Sequence, residues 1–198
     1  ECSVRQLTRT LVFLPDTTLG QAAQPDSLEL SDSPVQRLLL EDTWNWISLR
    51  LETLDMSLEN LTSRLAPRDG DLIKDQTGFS QFVAGQGWIG NLDSLKSGAA
   101  YKVRLNDDDE RDREWVVVGD PVPPQRPLDL HPGWNWIGYL PAAPSPVNQA
   151  LAGLPSASGD VIKDLGNFSS FDGDAWIGNL TTLAPGQGYL LKRSTAGA

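Results

Sequence analysis

The stretch GDVIKDLGNFSSFDGDAWIGNL, Gly159 to Leu180, has a double earlier in the same chain: GDLIKDQTGFSQFVAGQGWIGNL, Gly70 to Leu92. The doubling extends outward in unchanged order. Trp44-Asn45-Trp46-Ile47 matches Trp134-Asn135-Trp136-Ile137, and Phe79-Ser80 with Phe82 matches Phe168-Ser169 with Phe171. Four blocks supply 17 identities, at offsets that drift from 90 to 88 one residue at a time. The drift falls between blocks, where changes of loop length are tolerated. Gln36-Arg37/Gln125-Arg126 begin the match, and Leu95/Leu183, Gly98/Gly186 and Tyr101/Tyr189 continue it. Self-similarity of this kind predicts two units with one backbone path.

Four segments follow. Residues 1–33 hold a strand, Thr10–Leu14, and an acidic, proline-containing irregular stretch; residues 34–120 are copy one, 121–193 copy two, and 194–198 a tail. Gly119–Pro124 is proline-rich and reads as a stiff joint. Within a copy, WNWI alternates like a strand. In DMSLENLTSRL, Leu58, Leu61 and Leu65 recur at helical spacing behind a Ser57 cap. In APSPVNQALAGL, Ser145 is the expected cap, Pro146 the first helical residue, and Val147, Leu151 and Leu154 the apolar stripe. LIKD and VIKD are strands, and FSQFV/WIGNL and FSSF/WIGNL are hairpins. Pro185-Gly186 is a type II turn signal before the Tyr189 strand. The predicted fold class is α+β: two tandem repeats, each mostly antiparallel β with one short helix, packed as one pseudo-two-fold domain or standing as two.

Composition narrows the function. The chain has 198 residues and a net charge of −10, from 16 Lys+Arg against 26 Asp+Glu. Such a surface repels phosphate backbones and anionic lipid, which argues against nucleic acid and membrane-surface partners. No apolar run approaches the ~20 residues of a membrane span. Cys2 is the only cysteine, so an intrachain disulfide is excluded and a cysteine-built zinc site with it. The start at Glu1, with no basic or apolar leader, reads as a piece cut from something larger.

Catalytic patterns are sparse, and no cofactor is expected. His131 is the one histidine, in the turn before a strand, and no Gly-x-Ser-x-Gly elbow, Walker loop or HExxH accompanies it. The duplicated carboxylates Asp71/Asp75 and Asp160/Asp164 lie four residues apart, about 13 Å along a strand, too far for a glycosidase pair on their own. They read as turn residues. The acidic stretch Asn106–Glu114 offers Asp108, Glu110 and Asp112 as a calcium candidate, without the glycine and spacing of an EF-hand; a solvated hairpin tip is the competing reading.

The tryptophans carry the remaining signal. Six of the seven are Trp44, Trp46, Trp88 and their doubles Trp134, Trp136, Trp176. In a strand, Trp44 and Trp46 share one face, and Asn45 and Ile47 the other. Since Ile47 can supply core, the Trp face is free to form an aromatic platform that stacks on sugar rings or peptide side chains. The alternative is that the helix covers it and all six indoles are core. The candidate ligand-binding residues are Trp46, Trp136, Trp88 and Trp176. Trp46 and Trp136, farther from the turn, are the ones expected at the surface.

The blocks GWNWIGYLP, GDVIKDLGNFSSF, WIGNL and LAPGQGYLLK resemble a tandem Trp-rich repeat of secreted or surface-attached multidomain bacterial proteins. The resemblance covers about Gln36 to Lys192 and implies an extracellular or cell-surface place beside other domains of a larger surface protein. Copy one departs from it, lacking the glycine before Trp44 and the Pro-Gly turn before Tyr101. The expectation is a non-catalytic adhesion or ligand-binding module that holds a glycan or a peptide on aromatic side chains. A purely structural spacer with buried tryptophans and an accessory domain of a carbohydrate-active enzyme are the alternatives.

Overall fold

The computed structural model describes residues 9–11, 34–106 and 112–194, the first three as backbone alone. The chain runs β1 (Arg9–Leu11), β2 (Val35–Leu40), β3 (Trp44–Ser48), β4 (Leu51–Glu52), α1 (Leu58–Thr62), β5 (Leu72–Lys74), β6 (Phe79–Val83), β7 (Gly87–Gly90), β8 (Ala100–Arg104) and β9 (Arg113–Val118). It continues through β10 (Asp120–Pro121), β11 (Leu128–Leu130), β12 (Gly133–Gly138), β13 (Ser145–Pro146), α2 (Val147–Ala150), β14 (Val161–Lys163), β15 (Phe168–Phe171), β16 (Trp176–Gly178), β17 (Thr182–Leu183) and β18 (Gly188–Arg193). The architecture is mostly antiparallel sheet with two short helices.

Two five-stranded sheets dominate, in the orders β3-β8-β5-β6-β7 and β12-β18-β14-β15-β16. Each has its own core. The first gathers Ile47, Ile73, Tyr101, Val103 and Trp115 with the α1 leucines; the second gathers Ile137, Ile162, Trp176, Tyr189 and Leu191 with Val147 and Leu151. At about 1.5–3 kcal/mol for each large apolar side chain, either cluster is a substantial driving force.

The doubled blocks are largely hydrogen-bonding instructions. The Asn45 and Asn135 side chains each accept from a backbone N–H and donate to a carbonyl of the preceding turn, at Glu41 and at His131, all at 2.8–2.9 Å. Ser80 Oγ donates to the Leu92 carbonyl (2.8 Å) and Ser169 Oγ to that of Leu180 (2.7 Å). Asn91 and Asn179 accept from the Phe79 and Phe168 N–H groups. Tyr101 and Tyr189 hydroxyls accept from the N–H groups of Lys96 and Ala184 (2.6 and 2.7 Å). Burial pushes both phenols up to about 12.

The structure departs from expectation at the second helix. α2 begins at Val147, and Pro146, not Ser145, is its N-cap, without a side-chain cap bond. Ser145 and Pro146 pair instead with Leu183 and Thr182, and the Val147 N–H is taken by the Thr181 carbonyl (2.9 Å). Ser57 does cap α1, accepting from the Asn60 N–H at 3.3 Å. Asp75 and Asp164 are turn residues, each accepting from two following N–H groups. Asp71 and Asp160 are more than that: both are buried, Asp71 against Arg113 (2.6 Å) and Asp160 against Arg193 (3.4 Å). The joint also bonds into the fold, as Asp120–Pro121 pairs with Leu51–Glu52 and Arg126 forms a two-pronged pair with Glu52. Residues 12–14 of the N-terminal strand, the irregular stretch to residue 33, Cys2, and the tail beyond Ser194 lie outside the described residues.

The two sheets meet edge to edge. Ser48 N–H donates to the Gly186 carbonyl (2.9 Å), and Gly138 N–H to that of Gly98 (2.7 Å). Ile47 bridges Gln187, and Ala99 bridges Ile137. Ser48 Oγ bonds across the junction to the Gln187 carbonyl (2.8 Å), and at Gly138 and Gly188 no side chain fits. A Cβ on Gly188 would lie 2.5 Å from the Ile47 carbonyl oxygen, and one on Gly138 would lie 2.7 Å from the Ser48 Cβ. Gly188→Ala should therefore lower stability by about 1–3 kcal/mol, read as the urea midpoint. Gly166→Ala, with nothing within 4 Å, should move it by less than about 0.5 kcal/mol.

Candidate functional site

Strand register decides which side chains surround the junction. Trp44 stands opposite Arg104 and Trp46 opposite Lys102, while Lys74 stands opposite Lys102 on the other flank of β8. Residues in register share a face. Trp44, Trp46, Lys102, Arg104 and Lys74 thus lie on the side away from Ile47 and the core. In the second sheet, Trp134 is opposite Lys192, Trp136 opposite Leu190, and Lys163 opposite Leu190 across β18.

The edge-to-edge junction brings these two outer faces together. Lys102 Nζ lies over the Trp46 ring at 4.0 Å and over the Trp136 ring at 4.5 Å. Lys74 lies 5.6 Å from the Trp44 ring centre and 5.9 Å from that of Trp136. Lys163 lies 5.1 Å from Trp134 and 5.8 Å from Trp46. Arg104 stands over Trp44 at 5.9 Å. Each contact supplies about 0.5–1 kcal/mol where exposed. Among the described residues no carboxylate forms an ion pair with Lys74, Lys102 or Lys163.

The candidate residues separate into two groups. Trp46 and Trp136 are half-buried, as is Trp44; the most exposed ring is Trp134, at 39%. The first ring of that pair is the outer one because Lys102 covers both second rings. Trp176 is 5% exposed, inside the second core beside Phe171. Trp88 is half-buried on the first core, its Nε1 donating to Thr62 Oγ1 at 2.9 Å and its ring against Phe82. These two face inward because their register partners, Phe82 and Phe171, do. Trp115, the seventh, is sealed in the first core with its Nε1 on the Leu61 carbonyl.

Sequence reasoning missed the lysines. The signal was present: Lys102 and Arg104 alternate in YKVRL, and Lys74 and Lys163 occupy doubled positions. Their convergence on the tryptophans depends on the junction, which no single strand encodes. Of the calcium candidates, Asp108 and Glu110 lie outside the described residues and Asp112 is exposed; no group of three metal-ligating side chains occurs among the described residues. His131 is exposed, with its backbone held by Asn135. No helix of the described residues is long and apolar enough to cross a membrane.

Comparison with protein-family models, curated proteins and solved structures returns no match to this chain.

Burial, followed by the Lys74 and Lys163 charges, holds the Lys102 ammonium below the usual lysine range. Between the lowered native value and the ordinary one, the unfolded chain binds more protons, so this group's contribution to stability rises with pH across that window. Nζ-detected NMR titration should find Lys102 losing its proton below the usual lysine range. A bound anion should raise its pKa.

Proposed function

We propose that the chain is a non-catalytic ligand-binding module, and that its binding surface is the indole–lysine face at the junction. The observation that carries this reading is the gathering of Trp44, Trp46, Trp134 and Trp136 around three lysines with no carboxylate partner among the described residues. In a chain of net charge −10, an unneutralised cationic patch favours an anionic guest by both field and contact. The rings add flat apolar area for a sugar face or an extended peptide. The engagement of Asp71 and Asp160 by buried arginines supports a structural role for the duplicated acids. We assign the module to the extracellular or cell-surface part of a larger protein, on the strength of the repeat pattern.

The two halves, residues 34–120 and 121–193, are read as copies paired about an approximate two-fold axis. Two observations support this. The bridges Ile47–Gln187 and Ala99–Ile137 exchange corresponding positions. Lys74 and Lys163 each lie over one ring of their own half and one of the other. A single site at the axis, built from both halves, follows. The competing spacer reading has the same rings acting only as mortar between the halves.

Trp46→Ala and Trp134→Ala should each weaken retention of a carboxylated or sulfated oligosaccharide, or of an acidic peptide, on an array by roughly tenfold, consistent with ~1–3 kcal/mol per stacked ring. Trp176→Ala should instead cost about 3–5 kcal/mol of stability. A spacer predicts that neither surface variant changes retention, because nothing is retained.

A further inference from the structure

On the outer edge of β12 a side chain stands in for a strand. Gln76 Nε2 donates to the Trp134 carbonyl (2.8 Å), and Gln76 Oε1 accepts from the Trp136 N–H (3.1 Å). One residue of a parallel strand opposite Asn135 would make the same two bonds. At the matching position of the other half stands Leu165, which can make neither. Leu165 is 54% exposed and lines a cleft of about 320 Å³ together with Trp44, Asn45, Trp46 and Leu39.

The edge of β3 opens into that cleft. Ser48 N–H points away from β8, to the Gly186 carbonyl. Alternation along an antiparallel strand then turns the N–H and C=O groups of Trp46 and Trp44 to the same side. The bridge of Ile47 to Gln187 closes on the Trp46 carbonyl, while the Trp46 N–H and the Trp44 carbonyl meet no partner among the described residues. Gly186 and Gln187 close the edge from Ile47 onward, so the open stretch runs from Trp44 to the Trp46 N–H. The same residue pair is therefore filled on one half and vacant on the other.

We propose that this vacant edge takes an extended peptide by strand addition, with acidic side chains against Lys102 and Lys163 and apolar ones against Leu165 and Leu39. The proposal rests on the reading of the indole–lysine face as a ligand surface and names the class of ligand. A peptide presents donors and acceptors at the spacing of a sheet edge; a glycan does not. Lys102 and Lys163 lie over the Trp46 ring, on the face flanking the edge. The cleft lining carries Arg37 and, as its one acid, Glu41. Alternating acidic and apolar residues are the matching chemistry, because successive side chains of an added strand point to opposite faces.

The probe is an acetylated, amidated octapeptide of alternating Glu and Val, followed by calorimetry and by amide hydrogen exchange of the full chain. The Trp46 N–H of the free chain should exchange faster than the Trp136 N–H, and Gln76→Leu should bring Trp136 to the faster rate. The peptide should bind the unaltered chain and slow exchange at Trp46. Leu165→Gln supplies the amide that Gln76 supplies opposite, so it should weaken binding roughly tenfold, the value of one or two net hydrogen bonds, with the urea midpoint unmoved. Methylation of alternate peptide nitrogens should do the same. Peptide binding indifferent to Leu165→Gln and to N-methylation but lost in Trp46→Ala overturns strand addition and leaves the aromatic surface standing. Binding indifferent to all three overturns both. No binding of the octapeptide to the unaltered chain, while a sulfated tetrasaccharide binds, assigns the site to glycan and overturns the peptide. Protection of Trp46 that grows with protein concentration alone assigns the edge to a second copy and overturns it as well.

Discussion

Two backbone hydrogen bonds, Ser48 N–H to the Gly186 carbonyl and Gly138 N–H to the Gly98 carbonyl, set the arrangement of everything else. They form only because no side chain stands between the sheets at Gly138 and Gly188. Buried peptide groups must be paired, so the two edges lock in one register. That register places the WNW strands of both halves beside each other. The indoles have no say in the matter. They converge because the backbones do.

The convergence creates an electrostatic tension. Three ammonium groups share a small area, and one of them, Lys102, is held below its ordinary pKa by burial and by the other two. The rings relieve part of this through their negative faces. A core made for stability alone would place leucine at position 102, as the second half does at its counterpart Leu190. Retaining a crowded charge where an apolar residue fits is the pattern expected when a surface serves recognition at some cost in stability.

Much of the sheet could be read from the chain, because its rules are local. Asn45 and Asn135 brace turns, Ser80 and Ser169 tie a hairpin to the following loop, and Ile47 marks the core side of a strand whose Trp side faces out. Four things were not legible. The α2 start moved because a strand pair with Thr182–Leu183, distant in sequence, claimed Ser145 and Pro146. The burial of Asp71 and Asp160 depends on arginines that reach them from unrelated places, Arg113 at the start of β9 and Arg193 at the end of β18. The indole–lysine face depends on contacts between halves, and a repeat read one copy at a time contains no information about how copies meet. The doubling groups Trp88 and Trp176 with the other four; the hairpin register with Phe82 and Phe171 separates them.

The pairing of β1 has a consequence for biosynthesis. β2, just ahead of β3, pairs with β9; β11, just ahead of β12, pairs with β1. Arg9 meets Leu130, and Leu11 meets Leu128. β1 must therefore wait until the second half is well under way before it finds its partner. The first half, from β2 to β9, has all its own strands in hand earlier and can set before that closure. Contacts of such long sequence separation form late and slowly. The return of β1 to β11 is then a late step, taken after the first half has set.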